Sequence, residues 1–390
     1  MTGGSSAEPA GPPLRFGIVG HGWRADFYLR LASRLPARFD CVGVVARRPE
    51  VAARLAREWG VATFATVEEL VAATAPEVVV TSVPREANPG VVQALVALGI
   101  PVLAETPPAA DVEGLRELWA AVGDSGLVQV AEQHPFLPVF AAVRALVELG
   151  VLGAVGAVHV SWTHDYHGVA LIRALLGLGA EPVRIQAARD VRPLLEGPDR
   201  EGWPAEPAVR PSEHTIALLQ AAGRTGVYDF TEGQWFNPFR RRHLVLRGDH
   251  GELVGNDVTW AAPDGSPLSA PIVRRQTGLD GNLEGADLDS LTWAGRVLYR
   301  NPFPGARLSD EEIAIATCLD ATGRWRRGEG PEPYPLADAC QDQLVALHVH
   351  AAADAGCPVQ PADEPWSAHV RAGVSPSSRS LPAAGHLIHE

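Results

Sequence analysis

Apolar positions in the first third of the chain follow two alternating patterns. Short, mostly apolar runs (RFGIV, DCVGVVA, EVVVTSV, PVLA and LVQVA) are separated by stretches in which apolar residues recur every three or four positions. The runs predict strands buried on both faces, and the periodic stretches predict amphipathic helices over RADFYLRLASRL, EVAARLAREW, PGVVQALVAL and DVEGLRELWAAV. Gly60 and Gly99 stand where helices stop, and Asp111 is placed to cap the last of them. Strand–helix alternation of this kind predicts a doubly wound parallel sheet.

After Glu132-Gln133-His134-Pro135 the pattern changes. A helix, PVFAAVRALVELG, leads to a strand, AVGAVHVSW, then a polar cluster and the helix GVALIRALLG. The strand-like runs VRIQAA, TIALLQAA, GVYDF, RHLVLRG and GELVG follow with no regular helices between them, and GDHGE and GNDV supply turns. A mostly antiparallel sheet with one or two helices on one face is expected. Segments 195–211 and 262–285 are rich in Gly, Pro and Asp and are expected as long loops. Helices near DEEIAIATCLDATGRW and ADACQDQLVALHVHAAADA close the chain, and no internal repeat is visible. The fold class is therefore α/β. It comprises a disordered tail at 1–13, a Rossmann dinucleotide-binding domain at 14–133, and a C-terminal α+β domain at 134–390.

A chain of 390 residues is long enough for two such domains. A net charge of −13 argues against a nucleic-acid partner, since phosphate binding needs clustered positive charge. The longest wholly apolar run, 94–104, is interrupted by Gly99 and Pro101 and is too short to cross a bilayer, so no membrane partner is expected. The opening MTGGSSAEPAGPP lacks the basic start and apolar stretch of an export signal. Cys41, Cys318, Cys340 and Cys357 show neither metal-type nor redox-type spacing. Reduced thiols, a cytoplasmic location and no metal are the expectations. All 33 basic residues are arginine, and the chain contains no lysine.

Candidate chemistry begins at GIVGHGWRA. Gly20-His21-Gly22-Trp23-Arg24-Ala25 fits the G-x-G-x-x-G/A fingerprint between a first strand and a first helix. Gly20 permits the tight turn, Gly22 lets backbone approach a pyrophosphate, and Ala25 lets helix and strand pack closely. Amides at the helix start then face the anion. About 20 residues on, where a free ribose 2′-hydroxyl usually meets a carboxylate, stand Arg47 and Arg48. Arginine suits a 2′-phosphate, and positive charge at a helix start opposes the helix dipole, so NADP is preferred over NAD.

The order of parts resembles the Gfo/Idh/MocA oxidoreductases, the glucose–fructose oxidoreductase and inositol dehydrogenase group. The likeness is carried by GIVGHGWRA, VLAETPPAAD, LVELGVLGAVGAVHV and HLVLRGDHGEL and spans about 14–360. It implies a large C-terminal sheet whose outer face commonly makes the oligomer interface, hence a homodimer or homotetramer. It also implies that Ser82 and Pro84 line the cofactor ribose and that Gln133 lies near the nicotinamide. The family's Glu-Lys-Pro motif is matched by Glu105-Thr106-Pro107, with the lysine lost. Its Asp-x-x-x-His motif, counted back from Leu175-Leu176-Gly177, falls on Thr163 and His167, so the histidine alone survives.

A base must lie within hydrogen-bond reach of a hydroxyl whose carbon loses hydride. Threonine can orient that oxygen but is too weak an acid or base to replace an ammonium group. An unperturbed histidine side chain changes charge near working pH, so His167 is the expected acid/base, with Thr106 orienting the substrate and Tyr166 a second donor. His134 is a weaker candidate, Trp162 and Trp235 are candidate sugar walls, and Arg240-Arg241-Arg242 is expected at a solvated strand end. The expected function is an NAD(P)-dependent oxidoreductase acting on a carbohydrate-like substrate. The alternatives are an enzyme that retains its cofactor with no net redox change, such as a glycosidase or lyase, and a dinucleotide-binding protein without turnover.

Overall fold

The computed structural model describes residues 11–278 and 285–372. Most of the expected tail at 1–13, and the last stretch of the C-terminal domain as delimited above, lie outside the described residues.

The first third alternates as expected. In chain order it runs β1 (Leu14–Val19), α1 (Trp23–Arg34), β2 (Phe39–Val45), α2 (Pro49–Trp59), β3 (Thr63–Phe64), α3 (Val67–Thr74), β4 (Val78–Thr81), α4 (Asn88–Ala97), β5 (Val102–Ala104), α5 (Val112–Val122) and β6 (Val128–Val130). The strands form one parallel sheet in the order β3-β2-β1-β4-β5-β6, the doubly wound Rossmann order. β4 is buried at every position, as a strand covered on both faces must be. The caps follow the sequence. Asp111 Oδ1 accepts the Gly114 amide at 2.8 Å, and Gly60 ends α2 at φ +65. The two-residue β3 and the helix α3 were not expected.

The rest of the chain forms α6 (Pro138–Glu148), β7 (Val155–Ser161), α7 (Asp165–Leu176), β8 (Arg184–Leu195), β9 (Val209–Ala221), β10 (Arg224–Thr231), β11 (His243–Gly248), β12 (Gly251–Val254), β13 (Asp257–Ala261), β14 (Pro267–Thr277), β15 (Asp287–Trp293), β16 (Arg296–Arg300), α8 (Asp310–Arg326), α9 (Leu336–Ala355) and α10 (Ser367–Ala372). Its ten strands make one sheet, β16-β15-β14-β13-β12-β11-β7-β10-β9-β8. Only β7 and β10 pair in parallel. The expected loop at 262–285 is corrected. β14 runs through it, with nine of its eleven positions exposed, so neither face carries the apolar alternation that marks a half-buried strand.

One face of this sheet packs on helices. Val158 and Val160 of β7 are buried, and a Cβ on Gly226 of β10 would come within 2.3 Å of Ile172 in α7. The last helices return to the first domain. Arg327, just after α8, chelates Glu77 at 2.8 and 3.0 Å, and α9 contacts both α7 and α5. No helix among the described residues is long and apolar enough to cross a membrane.

Candidate functional site

A cleft of about 2430 Å³ opens at the carboxyl ends of β1, β2, β4 and β5 and is closed on its far side by β7, α7 and the segment after β10. Every residue singled out in the fingerprint, the ribose loop and the two catalytic motifs lines it, with one exception. Ala25 is fully buried, between helix and sheet, where the fingerprint needs a small side chain.

Backbone geometry sets the fingerprint end. Gly20 has φ +101, and a Cβ there would lie 2.1 Å from the Ser82 carbonyl oxygen, so only glycine fits. Gly22 caps α1 without a side-chain bond, which leaves first-turn amides open to an anion. Arg47 and Arg48 are exposed on the rim after β2, with Arg48 Nη2 3.3 Å from His21 Nε2. Arg24 Nη1 donates to Glu311 at 2.9 Å, and its other nitrogen reaches the Gln133 amide oxygen at 3.3 Å once that amide is oriented to satisfy both of its ends.

The Glu105-Thr106-Pro107 corner is pinned from below. Glu105 donates its amide to Thr81 Oγ1 at 2.8 Å, Thr81 donates to Asn88 at 2.7 Å, and Asn88 Nδ2 returns to the Glu105 carbonyl at 3.0 Å. The Thr106–Pro107 peptide is cis. Thr106 donates both its amide, at 3.0 Å, and its hydroxyl, at 3.3 Å, to Glu105 Oε1. That leaves the hydroxyl lone pairs to accept a hydrogen bond from outside. Burial pushes the Glu105 carboxyl above its usual range, with Arg24 opposing.

Opposite it sits a group that sequence reasoning only half found. The fully buried carboxylate of Glu132 accepts the His134 amide and His134 Nδ1 on one oxygen, both at 2.9 Å, and His167 Nδ1 on the other at 2.5 Å. The two imidazoles lie 4.5 Å apart between centroids. Burial alone would raise Glu132, but the neighbouring His167 and the His134 bonds overcome it and hold the carboxyl well below its usual range. Burial lowers His134 and draws His164 down to about 4. With Nδ1 committed to Glu132, His167 keeps Nε2 for the cleft, and no described residue bonds it. A base oriented by a fixed carboxylate is the arrangement proton transfer needs. The available signal for Glu132 was its place immediately beyond the carboxyl end of a parallel strand, where such sheets bind ligands.

Other candidates fall differently. Tyr166 is 3% exposed, and its hydroxyl is buried with no bonding partner among the described residues, so it does not offer a proton to the cleft. Asp165, at φ +42, is held by Tyr228 and by His350 at 2.8 Å and does not stand in for the lost aspartate. Thr163 is buried at the cleft wall. Trp235 stacks on Phe230 at 5.1 Å, and Trp162 carries Arg242 at 5.2 Å, so both walls are partly engaged within the protein. Trp23 lies under two guanidinium groups, Arg24 at 4.2 Å and Arg200 at 3.8 Å, the latter from the segment between β8 and β9.

This architecture has relatives. Residues 14–134 match the Gfo/Idh/MocA model, described as an oxidoreductase family with an NAD-binding Rossmann fold. Over 144 residues, 36% of the chain, the sequence is 30% identical to inositol 2-dehydrogenase of Pseudomonas savastanoi pv. phaseolicola, and the match spans 43% of that relative's length. Among solved structures, an oxidoreductase from Agrobacterium radiobacter in complex with NAD+, L-tartaric acid and magnesium superposes with a TM-score of 0.65 at 15% identity, over 89% of this chain and 98% of that one. Levoglucosan dehydrogenase in complex with NADH and levoglucosan superposes with a TM-score of 0.63 at 17% identity, over 89% and 99%. The two-sheet fold is thus shared across nearly the whole chain, and the family match falls on the N-terminal Rossmann sheet.

Proposed function

We propose that this protein is an NAD(P)-dependent oxidoreductase that interconverts an alcohol and a carbonyl on a sugar or polyol. His167 acts as acid/base in place of the missing lysine. The observation that carries the reading is the His167–Glu132 pair, with a free Nε2 facing the cleft that the dinucleotide fingerprint also lines. When bound, the nicotinamide supplies the hydride acceptor or donor.

The chain's own residues divide the remaining work. Thr106, its hydroxyl hydrogen committed to Glu105, accepts a hydrogen bond from a neighbouring substrate hydroxyl and so orients the substrate. The reacting hydroxyl donates to His167 Nε2, which takes its proton as the carbonyl forms, and the ionised Glu132 stabilises the imidazolium. In the reverse direction the imidazolium returns the proton to the carbonyl oxygen. Arg47 and Arg48 favour NADP, because arginines stand where a carboxylate would hold a free 2′-hydroxyl. The same reading includes a homodimer or homotetramer, which sedimentation would measure.

The test is a screen of polyols and sugars for a change in nicotinamide absorbance with each cofactor, run on wild type and on His167→Ala. Stoichiometric change that disappears in the variant supports the reading. Undiminished turnover by His167→Ala would remove His167 from the chemistry. Product formed while bound cofactor returns unchanged would move the assignment to the enzyme without net redox change. For the cofactor, replacing Arg47 and Arg48 by alanine should weaken NADPH binding at least tenfold and leave NADH nearly unchanged. Equal loss for both would end the NADP preference.

A further inference from the structure

A second histidine–carboxylate cluster lies on the face of the large sheet opposite the helices. On β7, Val158 and Val160 face the helices, so His159 and Ser161 face outward. In β11, His243 stands opposite Ser161. In β10, Val227 stands opposite His159, and Asp229 is the next residue on the same face. Three adjacent strands thus bring His159, Asp229 and His243 together, with donor atoms all within 4.8 Å of one another. Asp229 and His243 border a depression of about 440 Å³.

We propose that these three residues form a binding site for a divalent transition-metal ion of the zinc class. Zinc bonds of about 2.0–2.2 Å in a tetrahedron separate ligand atoms by about 3.4 Å. His159 Nε2 and Asp229 Oδ2 are already 3.2 Å apart, and a His243 ring nitrogen lies within 4.8 Å of both. Two imidazole nitrogens and one carboxylate are a zinc-type donor set, whereas calcium and magnesium take oxygen. The fourth position opens into the depression.

The surroundings have the form of an outer coordination layer. His214 Nε2 donates to the other Asp229 oxygen at 2.9 Å, and His214 Nδ1 lies 3.7 Å from Asp190. His243 Nδ1 faces the Arg241 carbonyl at 3.4 Å, the type of contact that fixes which nitrogen is free to ligate. Strand backbones hold His159, His214, Asp229 and His243, so the donors are pre-positioned. Arg192, Arg240 and Arg241 also border the depression, and Arg192 is paired with Asp190 at 2.5 Å.

The experiment uses the full chain, stripped with chelator and then titrated with zinc sulfate by calorimetry. Metal content is measured by elemental analysis after gel filtration. The expected result is one zinc per chain in wild type, with affinity at least tenfold lower in His243→Asn and in His159→Gln and about tenfold lower in His214→Ala. His243→Asn sits at a strand end and guards against a result that reflects unfolding. Two results overturn the proposal. One is less than half a zinc per chain in wild type. The other is zinc retained in His243→Asn but lost in His167→Ala, which would put the ion on the Glu132 cluster in the cleft.

Discussion

Glu132 with His134 and His167, and Asp229 with His159, His214 and His243, are built from the same two side-chain types. They differ in access to water. The Glu132 carboxylate is wholly buried and its two histidines are 14–15% exposed, whereas Asp229 and its partners are 23–30% exposed. A wholly buried carboxylate must have its bonding matched, and three N–H donors converge on Glu132. That holds both Nδ1 atoms on the carboxylate and leaves the Nε2 atoms of His134 and His167, both cleft-lining residues, as outlets, which suits the passage of a proton. Where water reaches the cluster, protons exchange freely and the donors can instead gather around a cation. Burial, more than residue identity, separates the two.

The comparison breaks most sharply at turnover. His167→Ala should lower kcat by 10²–10⁴-fold, the usual contribution of a positioned acid/base. Glu132→Gln keeps the shape but cannot stabilise an imidazolium, and should cost at least tenfold. Steady-state rates on protein with an unchanged circular dichroism spectrum measure both. If Glu132→Gln left the rate and its pH profile untouched, the buried carboxylate would be a packing feature only.

How far each cluster could be read from sequence follows the same division. The Rossmann strands were legible because burial on both faces writes a continuous apolar run. His167 was legible through its distance from Leu175-Leu176-Gly177. Glu132 was visible only as a position at a strand end, since nothing in sequence ties it to a histidine 35 residues away. The outer cluster was not legible at all. His159, His214, Asp229 and His243 meet only through sheet register, which no short spacing records. Helix α3 did carry a signal. Thr66 accepts the Glu69 amide at 3.2 Å and Glu69 accepts the Ala65 amide at 2.9 Å, so the Thr-x-x-Glu pattern marked its start. β14 carried none, because its side chains are mostly exposed and two are prolines.

Acid should separate the clusters next. Burial draws His164, beside His167, down to about 4, against about 6.5 in an unfolded chain. The unfolded state therefore takes up this proton first as pH falls. The stabilisation is complete above about pH 6.5 and is lost between about 6.5 and 4, on the order of 3 kcal/mol in all. His134, also lowered by burial, acts with the same sign. Asp229 is different. Its bond from His159 holds its pKa below the usual range, so its contribution persists until pH drops below about 3.9. Urea unfolding at pH 7 and pH 5 should show a large loss in wild type and a smaller one in His164→Asn. Equal losses would mean that His164 is not protonated on unfolding.

The smallest effect belongs to the outer cluster without metal. His214 donates to Asp229 at 2.9 Å, but both side chains are about a quarter exposed, so water competes for the bond and salt screens it. In chelator-treated protein, His214→Ala should therefore shift stability by about 0.2–1 kcal/mol, read as a small change in the urea midpoint with an unchanged slope. Adding zinc should widen the gap between wild type and variant, because ligand binding to the folded state adds stability in proportion to the logarithm of its affinity. A loss of several kcal/mol in the absence of metal would show that the outer cluster is as tightly matched as the buried one. Exposure would then no longer distinguish the proposed proton-transfer site from the proposed ion site.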